Sequence, residues 1–245
     1  MTNVTLEEQL HDNGLKLLSV IQYDAAEPGV AQKGSILDAG ECLVLIGNSS
    51  EGMWPTFSSS EEYLSGKTDP LDRWSLRLGE QFARQYDGRA IYPFTGPPYQ
   101  PFLSWAQANG DSFQSPLGLH IHHQHGLWHG YRFGLILDLN EPTKSKLITN
   151  PLTKDDSTKG HFSQSKPIDH PCTSCIQPCM GACPVGAFSS NGYDVVACRT
   201  YVQKNPQISC AQNGCAARLA CPKSPLGVYV AEQHQYHMAI FACQI

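Results

Sequence analysis

Eight cysteines between Cys172 and Cys221, of ten in the 245-residue chain, are the residues best suited to chemistry. The first four run Cys172-x2-Cys175-x3-Cys179-x3-Cys183 with Pro184 directly after them. The second four are Cys198, Cys210, Cys215 and Cys221, and Cys221 is again followed by proline, Pro222. Soft thiolates this close on a turning backbone can converge on an inorganic core, and the small Gly181 and Ala182 let backbone amides approach the sulfurs. The pattern points to iron–sulfur chemistry. Two blander readings stand beside it. Structural zinc needs only four thiolates and leaves the repeated Cys-Pro ending without a role, while disulfides suit a short secreted scaffold better than a cysteine cluster behind a long cysteine-poor segment. Cys42 and Cys243 lie among apolar neighbours and read as buried side chains; either becomes a ligand only if Cys210 is not.

The other dense polar stretch is GLHIHHQHGLWHGYR, Gly118 to Arg132, with His120, His122, His123, His125 and His129. On a strand, His120 and His122 share one face and Ile121 and His123 the other. Imidazole suits zinc, iron and cobalt, yet the segment holds no Asp or Glu and matches no compact zinc spacing. Three readings stay open: a protein-only metal site, a mixture of packed and surface histidines, or the lining of a cofactor or substrate pocket. Aromatic residues such as Trp54, Tyr92, Phe102, Trp105, Trp128 and Tyr131 could wall a large flat cofactor or form ordinary core.

The elements that must position these residues follow from pattern. Thr5 with Glu8 three residues later is a capping box opening a short helix, which Gly14 ends. Leu15 to Tyr23 reads as a strand, and Cys42 to Gly47 (CLVLIG) as a buried one. Glu27 to Gly40 and NSSEGMWPTFSSS read as loops. Asp69 as cap and Pro70 at the first helical position precede Leu71, Trp74, Leu78 and Phe82 at helical spacing. Arg89 to Tyr92 is a short strand, the proline-rich run to Phe102 irregular, and Phe102 to Ala108 a short helix. Gly118 to Ile121 and Tyr131 to Leu139 read as a strand pair joined through HHQHG. Strands interleaved with helices predict an α+β body. The polar Asn150 to Pro167 sets a boundary, giving 1–165 as the body, 166–225 as the cysteine module, and 226–245 as a segment packing back on the body.

Composition narrows the partners. A net charge of −5 does not attract phosphate backbones, so nucleic acid is not expected. No apolar run approaches the roughly 18–20 residues a membrane helix needs, and MTNVTLEEQL lacks the basic opening of a secretory signal. A reducing cytoplasm is the expected compartment.

The first cysteine group resembles the C-x2-C-x2-C-x3-C-P run of bacterial ferredoxins, with one extra residue before Cys179. On that resemblance, cluster one takes Cys172, Cys175, Cys179 and the crossing Cys221, and cluster two takes Cys183, Cys198, Cys210 and Cys215. Arg218 stands where a ferredoxin repeat has a middle cysteine. The module, with Cys198-Arg199-Thr200-Tyr201 and then Gly214-Cys215 to Cys221-Pro222, resembles the ferredoxin part of epoxyqueuosine reductase and of corrinoid reductive dehalogenases. Thr68 to Asp72, Leu78-Gly79, and Gly118, Ile121, His122, Gly126, Trp128 and Arg132 resemble the cobalamin-processing (decyanating and dealkylating) proteins of animals.

These resemblances imply a nitroreductase-like cobalamin-binding body with an appended ferredoxin-like [4Fe-4S] module. They imply two such clusters, and cobalamin or another corrinoid near His120, His122, Gly126 and Trp128. The implied function is an iron–sulfur oxidoreductase passing single electrons to or through the corrinoid. An electron-donor protein such as a ferredoxin or flavodoxin and a small-molecule substrate are the implied partners. A flavin-binding variant, and an electron carrier or docking protein with no catalytic pocket, are the alternatives; queuosine chemistry on transfer RNA does not fit so short and acidic a chain.

Overall fold

Burial of one long apolar strand organises the first half of the chain. A computed structural model describes residues 5–22, 36–38, 40–49, 52–138, 169–224 and 229–243. The expected boundary at Asn150 to Pro167 lies outside the described residues, as does most of the expected loop from Glu27. The chain packs as two compact units, one of Met1–Asn48, Pro55–Asp111 and Gly130–Asp169, the other of Ser49–Trp54, Ser112–His129 and His170–Ile245.

In the first unit, helix α1 (Leu6–Asp12) opens with the reciprocal bonds of a capping box: Glu8 N–H donates to Thr5 Oγ1 and Thr5 N–H to the Glu8 carboxylate. It buries Leu6 and Leu10 and ends at Gly14, whose φ of 68° suits glycine. Strand β1 (Lys16–Gln22) pairs antiparallel with β2 (Glu41–Ser49), Lys16 facing Gly47 and Gln22 facing Cys42, with a bulge between Leu17 and Ser19. The continuous apolar run of β2 is buried on both faces, Cys42, Val44, Leu45 and Ile46 being wholly covered. Strand β3 (Arg89–Ile91) pairs antiparallel with β6 (His129–Asp138), and the sheet order is β1-β2-β6-β3.

Helix α4 (Pro70–Gln85) lays Trp74, Leu78 and Phe82 into the core. Its expected cap is corrected: Asp69 adopts a left-handed conformation (φ 50°) and makes no capping bond, so Pro70 alone marks the start. The expected loop at NSSEGMWPTFSSS is corrected too. Residues Met53–Ser58 form helix α2, because Pro55 sits in the first turn, where a missing N–H costs nothing, and Met53 and Phe57, four apart, are both fully buried. Helices α3 (Glu61–Leu64) and α5 (Phe102–Ala108) complete this unit.

In the second unit, β4 (Ser112–Gln114) and β5 (His120–His122) form a two-stranded ribbon, Ser112 opposite His122. The pairing of Gly118 to Ile121 with Tyr131 to Leu139 is therefore corrected: β5 takes β4, while β6 belongs to the four-stranded sheet. A 3-10 turn (Pro178–Gly181) carries Cys179, and a hairpin of β7 (Phe188–Ser189) and β8 (Gly192–Tyr193) follows Cys183. Helices α6 (Val195–Lys204), α7 (Ser209–Gln212) and α8 (Ala216–Leu219) carry or border the rest. The last described helix, α9 (Ala231–Cys243), packs on α6 and α7, with Gln203 Nε2 donating to the Ala242 carbonyl at 2.5 Å.

The fold is α+β. The finer expectation, a nitroreductase-like body carrying a ferredoxin-like [4Fe-4S] module, is corrected: among the described residues no group of three or more His, Cys, Asp or Glu side chains could hold a metal ion.

Candidate functional site

The second unit gathers most of the chain's cysteines and histidines around a small apolar core. Leu117, Ile121, Leu127, Cys179 and Ala217 are buried together, and Cys172, Cys183, Cys215 and Cys221 pack against them beside Phe113, Met180 and Phe188. The turn carrying Cys172 is tied to β4 through His170, which accepts from Cys172 N–H at Nδ1 (3.1 Å) and donates from Nε2 to the Gln114 carbonyl (3.1 Å). The Cys175 sulfur accepts from Gln177 N–H at 3.4 Å and the Cys183 sulfur from Ala187 N–H at 3.3 Å.

Burial pushes the Cys172 and Cys179 thiols up, and neighbouring sulfurs add to it: Cys221, Cys175 and Cys179 around Cys172, Cys221 and Cys175 around Cys179. Lys223 acts the other way on Cys172. Burial likewise raises Cys198, with Cys183 and Cys210 adding and the Tyr193 hydroxyl, which donates to the sulfur, opposing. Cys215 is raised by burial and then by Cys210 and Cys198, against the N–H groups of Arg218 and Ala217. Cys183, Cys198, Cys210 and Cys215 line one small pocket together with Phe188 and Met238. The Tyr193 ring stacks on Phe188 with centroids 4.7 Å apart. Burial favours the protonated thiol at each of these four cysteines, Cys172, Cys179, Cys198 and Cys215.

Of the histidine stretch, His122 is 2% exposed and Trp128 1%. His122 Nδ1 accepts from the N–H groups of Gln124 (3.1 Å) and His125 (3.4 Å), and its ring stacks on His123 and His125, both at 4.7 Å. His129 Nδ1 donates to the Gly126 carbonyl at 3.0 Å. Burial, then the charges of His122, Arg218 and His125, take His129 down to about 3 despite that carbonyl. His120 sits within reach of Ser112 Oγ (3.1 Å), and burial lowers its pKa. One face of Trp128 carries the Arg218 guanidinium, 4.1 Å from the centroid, and Tyr229 and His234 meet the ring edge-on at 5.3 and 5.2 Å. Gly126, with φ 59°, lies so close to Ser224 that a Cβ there would collide with it.

The corrinoid expected near His120, His122, Gly126 and Trp128 is corrected, since among the described residues no group of three or more His, Cys, Asp or Glu could hold a metal ion. A compact ion site needs thiolate sulfurs within about 2.3 Å of one centre. The cysteines meet no such condition, since no group of three or more His, Cys, Asp or Glu among the described residues could hold a metal ion. The two [4Fe-4S] clusters, the electron transfer built on them and the iron–sulfur oxidoreductase activity are withdrawn on that finding.

Arg218, Ser224, Tyr193, His170 and Met238 were not singled out as site residues. His170, two residues before Cys172, and Tyr193, five before Cys198, lie close in sequence to their partners; Arg218, Ser224 and Met238 meet theirs through contacts remote in sequence.

No family model, no curated protein and no solved structure matches the chain. The resemblances to epoxyqueuosine reductase, the reductive dehalogenases and the animal cobalamin-processing proteins are corrected accordingly.

Proposed function

We propose that the cysteines of the second unit work as two quartets of reduced, packed thiols and not as ligands, Cys172, Cys175, Cys179 and Cys221 in one and Cys183, Cys198, Cys210 and Cys215 in the other. The observation that supports this reading is the packing: Cys172, Cys179, Cys183, Cys215 and Cys221 lie on or against one apolar core, and Cys183, Cys198, Cys210 and Cys215 line one small pocket with Phe188 and Met238. The reading suits a reducing compartment such as the cytoplasm, where thiols persist. Its partner is an electron-donor protein that keeps the sulfurs reduced; a nucleic acid does not match the net charge of −5.

The test is mass spectrometry of chain prepared without oxygen, native against denatured, with thiols counted in both states. A native mass equal to that of the chain, with thiols shielded in the native state and released by denaturation, is the expected result. A bound species on the thiols, or pairing of them as disulfides, overturns the reading.

A further inference from the structure

Two contacts of the second unit converge on one peptide. Leu127 is 2% exposed, and both its backbone groups are claimed by the segment around Cys221. Its N–H donates to Ser224 Oγ at 2.5 Å, and its carbonyl accepts from Arg218 Nε at 3.2 Å and from Arg218 Nη2. Arg218 lies three residues before Cys221 and three after Cys215; Ser224 lies three after Cys221 and donates its own N–H to the Cys221 carbonyl at 3.2 Å. The guanidinium is flattened on Trp128 at 4.1 Å and reaches Tyr229 at 5.1 Å, so its direction is fixed by two rings as well as by the carbonyl. Gly126 permits the approach, because any side chain there would strike Ser224.

We infer that Arg218 and Ser224 are positioning residues that bolt the Cys215 to Cys221 segment onto Leu127 and thereby set one thiol of each quartet at once. Cys221 belongs to the first quartet and Cys215 to the second, and the four-residue helix Ala216–Leu219 between them is too short to hold a direction by itself. The two quartets are therefore coupled through Arg218: a change that loosens its grip on Leu127 frees a thiol in both. The meaning of this coupling rests on the thiol-quartet reading, but its test does not.

The test is residue-resolved alkylation of the thiols in the full chain, freed of any bound species, with Cys42 and Cys243 as internal references. Cys42 is fully buried in the first unit and reports global opening, whereas Cys243 is exposed and reports intrinsic reactivity. Arg218→Met is expected to speed alkylation of both Cys215 and Cys221 about tenfold, the order of effect of losing a charge-assisted bond. Cys42 and Cys175 keep their rates. Ser224→Ala, a milder change that keeps Arg218, is expected to speed Cys221 more than Cys215. Arg218→Lys keeps the charge but loses the fork and is expected to restore little. Acceleration of Cys221 alone in Arg218→Met, or unchanged rates at both thiols, overturns the inference. Equal acceleration everywhere, Cys42 included, also overturns it, since that is the signature of a general packing role. A chain whose thiols prove to be paired or occupied in the native state, yet shows the selective pattern once they are freed, keeps Arg218 as the coupling residue and removes only the thiol-quartet reading.

Discussion

The first unit is held together by apolar layers and the second by point contacts between polar groups. In the first, β2 is covered on both faces and α4 stacks Phe82 on Phe133, ring centroids 6.1 Å apart. In the second, a handful of buried aliphatics is ringed by thiols, imidazoles and one guanidinium, and the ordered segments around the cysteines are two to ten residues long. Burial energy scales with area and tolerates salt and pH, whereas imidazole and thiol contacts change with every proton bound. The difference predicts two distinct modes of failure.

Truncation in the first unit has the largest expected effect. Phe82 is 1% exposed and packs on both Phe133 and Tyr86, so Phe82→Ala costs about 4 kcal/mol, transfer and cavity together. Hydrogen exchange should show β2 and α4 losing protection, while alkylation of Cys215 and Cys221 under native conditions stays near its original rate. Thiols that quicken in step with the first unit would erase the contrast between the two.

Acid is the next lever, and it acts on the second unit. His129 is held near 3 when folded, against an ordinary value of about 6.5 unfolded, and burial lowers His120 and His234 as well. Between those two values the unfolded chain binds a proton that the folded chain refuses, so stability rises with pH there. It is fully present above about 6.5 and falls as pH drops, by about 1.4 kcal/mol per pH unit for one such histidine, or about 3 kcal/mol by pH 4.5. Protection of residues 120–129 measured at pH 7 and 4.5 should decline, and His129→Phe should flatten the decline. Equal protection at both values would remove the histidine cluster from the account.

The same contrast decides what could be read from sequence. Periodicity finds β2 and α4 because their burial is continuous or repeats at helical spacing. It misses α2, whose two buried residues, Met53 and Phe57, are too few to make a pattern, and it pairs β5 with the wrong strand because a three-residue ribbon has no alternation to read. For the cysteines, spacing identifies which side chains can meet but not whether their sulfurs converge on one point. The anchor of Arg218 on Leu127 spans 91 residues, beyond the reach of any local motif. An Arg in place of an expected cysteine looks like a loss in the sequence; in the fold it is the residue that joins Trp128, Tyr229 and Leu127.

Smaller effects sharpen this lesson, because two helices of the first unit begin with similar cap signals and only one uses its cap. Thr5 accepts from Glu8 N–H at 3.2 Å, and removing that acceptor by Thr5→Ala should cost about 1 kcal/mol in a denaturant melt, with α1 fraying first.

Asp69 stands before Pro70 in the corresponding place, yet its side chain caps nothing and its φ is 50°. A left-handed aspartate carries a steric cost that glycine does not, while glycine adds unfolded-state entropy. With no bond to lose, Asp69→Gly should be neutral or stabilising by about 0.5 kcal/mol, opposite in sign to Thr5→Ala. A loss above about 1 kcal/mol in the same melt would mean that the carboxylate supports the helix after all. The sign matters more than the size, because a cap read from residue type presumes an extended backbone at that position. The Pro70 ring fixes φ only at its own residue and leaves Asp69 free to turn left-handed.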